Sequence, residues 1–163
     1  ILTLMLNLIG YKSMYKIYTT GYGNKKIDDF VQLLKMNEIK ILIDVRTVPY
    51  SNYRQEFNRR NLAKTLEKQG IFYLHKPELG GKDENVKKNW EENLGRIINI
   101  EGNLVLMCAE GDIEKCHRKQ LANMLKTKFN IETEELNWQD KNKKKQKLQP
   151  SLFNEPSSNE DPQ

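Results

Sequence analysis

An α/β domain of three layers, with a mostly parallel sheet of about five strands flanked by helices, is what the sequence predicts, on three observations. From Tyr15 onward, short β-branched or aromatic runs alternate with segments of helical period, the pattern that βα units produce. One of those runs, IKILIDVR (39–46), is apolar almost throughout, as a parallel strand covered on both faces must be. The length of 163 residues, 37% of them hydrophobic, suits a single domain around one core.

Each element follows in order. YKIYTTGY (15–22) reads as a strand that ends in the glycine-rich turn GYGN. In KIDDFVQLLKMN (26–37), Ile27, Phe30, Val31 and Leu34 fall at i, i+3, i+4 and i+7, one apolar face of a helix. IKILIDVR is the second strand, and the polar loop TVPYSNYRQEFN (47–58) leaves it. Asn58 is a candidate N-cap for the helix RRNLAKTLEKQ (59–69), and Gly70 is its natural stop. IFYLH (71–75) gives a third strand, and VKKNWEENLGRIINI (86–100) a third helix weakened by Gly95. NLVLMCA (103–109) is a fourth strand, CHRKQLANMLKTKF (116–129) a fourth helix, and IETEEL (131–136) a last strand.

The ends differ in composition. ILTLMLNLIG (1–10) is an apolar run of ten residues, short of the roughly 20 that span a bilayer, so no membrane association is expected. Residues 1–14 are read as a leader or upstream extension, with Met14 as the natural start and the domain over 15–136. Residues 137–163 hold almost no apolar side chains, a lysine cluster from Lys141 to Lys147 and an acidic, Pro/Ser-containing end. Such a tail cannot bury enough apolar area to offset its ordering entropy and is expected to be disordered; its alternative use is as a basic arm for nucleic acid or a protein partner. The net charge is +5 and the isoelectric point about 9.1, a mild bias toward anionic partners. Two cysteines cannot build the disulfide framework of a small secreted domain, and no signal peptide with a clear cleavage site precedes the domain, so the expected compartment is the cytoplasm. Oligomeric state is not legible in the sequence.

In a sheet of this kind the active crevice lies beyond the carboxyl ends of the strands. Gly21 to Asn24 follow the first strand; Asp44, Arg46 and the 47–58 loop follow the second; His75, Pro77, Glu78, Gly80 and Gly81 the third; Cys108, Glu110 and Asp112 the fourth. Both histidines and both cysteines therefore gather at one end of the predicted sheet.

Three blocks in order, TTGYGNKKIDDFVQLLKMNEIKILIDVRTVPYS, FNRRNLAKTLEKQGIFYLHKPELGG and LMCAEGDIEKCHR, resemble the successive signatures of the domain of unknown function family 488 (DUF 488), over about Tyr15 to Leu136. The first turn of that family usually reads like TIGHSN; here it is TTGYGN, so Tyr22 stands where a histidine is common. The resemblance implies the α/β fold and no established activity.

Three chemistries compete for the crevice. As a metal motif, CAEGDIEKCHR has the spacing C-x(7)-C-H with His75 the only other imidazole, not the paired C-x2-4-C units of structural zinc; its ligands would be Cys108, Cys116, His117 and a Glu or Asp, and no metal or organic cofactor is implied strongly. As a thiol site, Cys108 would stand at a strand end, near a helix start at about Cys116 whose free N–H groups lower a thiol's pKa, with His117 or Arg118 stabilising a thiolate. ILIDVR also resembles the opening strand of rhodanese-type sulfurtransferases, although the seven-residue spacer does not match their catalytic loop. As an anion pocket, Arg46, Arg54, Arg59, Arg60 and Arg118 would supply planar forks for phosphate, and Gly80 and Gly81 close backbone approach. Asp44, Glu78 and Glu110 would then serve as acid, base or hydroxyl acceptors, and Tyr22, Tyr50, Tyr53 and Phe57 would stack a base.

The pocket uses most of the clustered residues, so a small enzyme acting on a phosphate-bearing ligand, a nucleotide or nucleic acid, is the first expectation. Cys108, Glu110, His117 and Glu78 are its candidate catalytic groups, and Arg46, Asp44, Tyr22, His75, Gly80, Gly81, Arg118 and Tyr53 its binding groups. A sulfurtransferase-like enzyme using Cys108 is the second reading, a non-catalytic binding module the third. Plain structural roles stand beside these: Cys108 and Cys116 as packing, Asp44 with Arg46 as a simple pair, His75 bonded to a carbonyl, PELGG as a turn, and Asn58 as a cap.

Overall fold

Residues 15–137 are described by a computed structural model of the chain. The expected leader lies outside the described residues, as does the charged tail beyond Asn137. The strands are β1 (Ile17–Gly21), β2 (Ile39–Asp44), β3 (Phe72–His75), β4 (Asn103–Cys108) and β5 (Thr133–Glu135). The helices are α1 (Ile27–Met36), α2 (Arg59–Glu67), the single turn α3 (Glu84–Lys87), α4 (Trp90–Ile97) and α5 (Arg118–Phe129). All strand pairings are parallel, in the order β3-β2-β4-β1-β5. No helix among the described residues is long and apolar enough to cross a membrane.

Alternation along the strands sorts the core into two layers. Tyr18, Leu42, Val105 and Met107 pack under α1 and α2 with Phe30, Leu34, Leu62 and Leu66. Their neighbours Ile17, Ile43, Leu104 and Leu106 face the other way, under α4 and α5 with Trp90, Leu94, Leu121 and Leu125. A period of two on β2 and β4 thus buries successive side chains on opposite faces, the physical content of an apolar run such as ILIDV. Each fully buried leucine contributes roughly 1.5–3 kcal/mol.

Local chemistry explains most boundaries. α1 carries Asp28 and Asp29 in its first turn and Lys35 in its last, charges that suit the helix dipole at each end. Gly70, at φ +71°, takes the left-handed turn after α2 as expected. Asn58 holds the N-cap position of α2, but its side chain makes no cap; it accepts from Ser51 N at 2.6 Å and so ties the preceding loop. The helix expected over 86–100 is two pieces instead, and the break is not at Gly95, which α4 passes through. Asp83 caps α3 by accepting from Asn85 N at 2.8 Å, the chain leaves helical geometry at Asn89 (φ −102°, ψ 6°), and Trp90 then starts a stripe with Leu94 and Ile97 that faces the sheet. The last helix begins at Arg118, two residues later than expected, because Ile113–Lys115 forms a separate 3-10 turn capped by Asp112.

The topology also fixes where a site should be. From β1 the chain crosses to β2 on one side, and from β4 it crosses to β5 on the other. β1 and β4 are neighbours, so their carboxyl ends flank the switch point of the sheet.

Candidate thiol site at the ends of the strands

β1 and β4 run in register to their last residues, Gly21 opposite Cys108. Beyond them Tyr22 N donates to Cys108 O at 3.2 Å and Gly23 N to Ala109 O at 3.0 Å. A side chain on Gly21 would collide with the Glu110 carbonyl, and one on Gly23, at φ +48°, would stand 3.2 Å from the Gly111 Cα. The glycine-rich turn therefore lets two loops meet through their backbones, and main chain fills the gap between β1 and β4.

Three of the five guanidinium groups expected to face a ligand, those of Arg46, Arg54 and Arg118, are engaged by the protein, while Arg59 and Arg60 are exposed. Arg46 donates to Asp44 from Nε at 2.8 Å and from Nη2 at 2.6 Å, to Phe57 O at 2.8 Å and to Tyr22 Oη at 3.4 Å. Burial works against its charge, but the Asp44 carboxylate more than offsets this and holds the guanidinium protonated. Tyr73 donates to the same carboxylate at 2.6 Å, and burial with that bond pushes the phenol's pKa up. Arg118, fully buried, donates to Glu110 O, to Gly111 O at 3.4 Å and to Glu135 at 2.8 Å. Arg54 donates to the Gly23 and Lys25 carbonyls and pairs with Glu56 at 2.8 Å. Arg46 and Arg118 tie strand-end loops to the sheet, and Arg54 ties the 47–58 loop to the turn after β1.

The remaining expected residues divide. Tyr22 is buried and stacks on Phe57, ring centroids 4.1 Å apart, whereas Tyr53 is 95% exposed. His75 donates from Nε2 to Arg46 O at 2.9 Å, the carbonyl fixing the tautomer. Glu78 pairs with Lys76 at 3.2 Å; burial raises its carboxyl, but its own backbone N–H and Lys76 outweigh this and hold it below the usual range. Glu110 is exposed and accepts from Asp112 N at 2.9 Å. A shallow groove between α1 and α2, lined by Asp28, Val31, Lys35 and Thr65 among others, holds none of the expected residues.

What the fold does gather is sulfur and imidazole. Cys108 ends β4, half-buried, and Cys116 and His117 stand where the 113–115 turn gives way to α5. His117 Nδ1 lies 4.0 Å from Cys108 Sγ and 3.8 Å from Cys116 Sγ. The three atoms lie within 4.8 Å of one another. The ring is held by Gly81 on one side and by Trp90, whose ring centroid is 6.0 Å away. Its Nε2 is buried without a partner, so Nδ1 is the working nitrogen.

The two thiols are driven apart in acidity. The Cys116 S–H bond to Cys108 is the largest influence, followed by burial, which opposes it, the bond and charge of His117, and the Glu110 backbone N–H; together they bring Cys108 far below an ordinary thiol. The same bond to Cys108, with burial, pushes Cys116 up. The surroundings thus favour Cys108 as the more acidic of the two thiols and Cys116 as the less acidic. These three residues are also the grouping among the described residues that could hold a soft metal ion, the same three that the metal reading of the sequence named. Cys116, read from sequence as packing or as a metal ligand, had no part in the thiol reading; its signal was its place next to His117 at a helix start.

Gly81 is a direct test of the ring's position. A methyl group there would collide with the His117 imidazole, so Gly81→Ala is expected to cost about 1–3 kcal/mol in urea denaturation and to slow alkylation of Cys108 at pH 6.

The resemblance to a known family is borne out by comparison with known proteins. Residues 26–93 match the family model described as Domain of unknown function DUF488. That span contains the DVR and PELGG blocks and stops before β4, leaving Cys108, Cys116 and His117 outside it. No curated protein matches the chain.

Proposed function

Starting from a DUF488-type α/β domain, we propose that this chain is a thiol enzyme in which Cys108 is the nucleophile and His117 the group that holds its thiolate. The observation that carries the reading is His117 Nδ1 placed 4.0 Å from Cys108 Sγ, at the carboxyl end of the strand central to the sheet. A thiolate is the attacking form of cysteine, and an adjacent imidazole keeps it available at neutral pH. The α5 N-terminus adds oriented N–H groups nearby. A phosphate-bearing ligand is the weaker reading, because Arg46 and Arg118 spend their donors on Asp44, Glu135 and backbone carbonyls. The basic-arm reading rests on residues outside those described. A free thiol pair fits a reducing compartment, so a cytoplasmic location goes with this proposal.

Iodoacetamide labelling across pH tests it. Alkylation follows the thiolate fraction, and a lowered pKa keeps that fraction near one down to more acidic pH. The Cys108 rate is expected to stay flat between pH 8 and pH 6, where free cysteine slows about tenfold per unit, and Cys108→Ser should remove the fast phase. A profile that tracks free cysteine would sink the proposal. So would zinc at one ion per chain whose removal by a chelator is what exposes the thiols.

A further inference from the structure

We infer that Cys116 is the resolving thiol of Cys108, so that the two form a dithiol/disulfide couple that takes disulfides as substrate. This rests on Cys108 being the nucleophile. The grounds are geometric: two sulfurs and one imidazole nitrogen lie within 4.8 Å of one another, with Cys108 half-buried and Cys116 more deeply covered at 9% exposure. An incoming molecule meets Cys108 first, and Cys116 waits behind it.

The steps balance. The Cys108 thiolate attacks one sulfur of R–S–S–R; a Cys108–S–SR bond forms, the substrate S–S bond breaks, and RS⁻ leaves. Cys116 then attacks the Cys108 sulfur, its proton going to the released thiolate; the Cys108–Cys116 bond forms and a second RS⁻ leaves. The substrate gains two electrons and the protein loses two, which a dithiol reductant returns by the same exchange in reverse. The site prepares the second step. Cys116 is held protonated first by its bond to the Cys108 sulfur and then by burial, and that bond is lost once Cys108 is a neutral mixed disulfide. The mixed disulfide therefore readies Cys116 for its own discharge.

Two alternatives suit the surroundings less well. Cleaving a peroxide O–O bond calls for a cation on the leaving oxygen, and Arg46 and Arg118 are bound to Asp44 and Glu135; a thiolate leaving group needs no such help. A stable persulfide of the rhodanese kind needs a cysteine without a neighbouring thiol, because Cys116 would expel the outer sulfur as hydrosulfide.

The experiment adds oxidised glutathione to the reduced full chain and follows it by intact-mass and peptide mass spectrometry. Wild type is expected to lose two hydrogens, yield a Cys108–Cys116 linked peptide and release two glutathiones per chain. Cys116→Ser is expected to stop with one glutathionyl group on Cys108. Wild type that keeps the glutathionyl group on Cys108, with no linked peptide, overturns the role of Cys116 and leaves the nucleophile standing. No adduct on wild type or Cys116→Ser, together with ordinary iodoacetamide kinetics, overturns both. A linked peptide formed with hydrogen peroxide and not with oxidised glutathione overturns the substrate class. The wild-type peptide decides the matter even where a variant folds poorly.

Discussion

Asp44→Ala is expected to destabilise the fold by about 3–5 kcal/mol, because it leaves the Arg46 charge buried without its partner. Asp44 is fully buried, and Arg46 is 5% exposed. The carboxylate accepts from Arg46 Nε, Nη2 and backbone N and from Tyr73 Oη, at 2.8, 2.6, 3.1 and 2.6 Å. Without it Arg46 keeps Phe57 O and a long contact to Tyr22, neither of which carries charge. Replacing both members, Asp44→Asn with Arg46→Met, is expected to lose much less than Asp44→Ala, since no orphaned ion remains. Urea denaturation at pH 7 measures both. A loss below about 1 kcal/mol for Asp44→Ala would show that water reaches Arg46, which would reopen the pocket reading.

The same pair shows what was legible in the sequence and what was not. Periodicity placed the strands and four helices because burial on a two-sided sheet imposes apolar spacing directly on the residues of β2, α1 and α5. It also placed the charged and sulfur-bearing groups at one end of the sheet. It could not tell a side chain that faces a ligand from one that faces its own loop, because Arg46 two residues after Asp44 has the same spacing either way. The structure decides this through partners distant in sequence, Phe57 and Tyr73 for the Asp44–Arg46 pair and Glu135 for Arg118. Cys116 as a second thiol beside Cys108 was not legible for a related reason. Only the 3-10 turn at 113–115 and the delayed start of α5 bring its sulfur back to His117, and a turn of that kind leaves little periodic signal. Gly80 and Gly81 were singled out for close backbone approach to a ligand, and what the structure places against them is the protein itself. Gly81 faces the His117 ring and Gly80 faces Thr47, so the near neighbours are the protein's own side chains.

Arg118→Met is expected to cost about 3–5 kcal/mol as well, with a consequence that Asp44→Ala does not share. Arg118 is fully buried, and its guanidinium joins α5 to two segments: the Glu110 and Gly111 carbonyls after β4, and Glu135 on β5. Glu135 in turn accepts from Thr19 on β1. Methionine fills much of the volume and leaves the two carbonyls and the Glu135 carboxylate without their donor. Lysine restores the charge but is a compact point on a flexible stem without the rigid fork that spans these acceptors, so Arg118→Lys is expected to recover only part of the loss. The loop that Arg118 holds is the one whose Glu110 N–H helps to lower the Cys108 pKa. Cys108 alkylation in Arg118→Met should therefore slow toward pH 6 while the wild-type rate stays flat. A variant that loses stability with an unchanged labelling profile would confine Arg118 to the β5 edge. A shifted profile in Arg118→Met, with none in Glu135→Gln, would place its influence on the thiol in the bonds to Glu110 and Gly111.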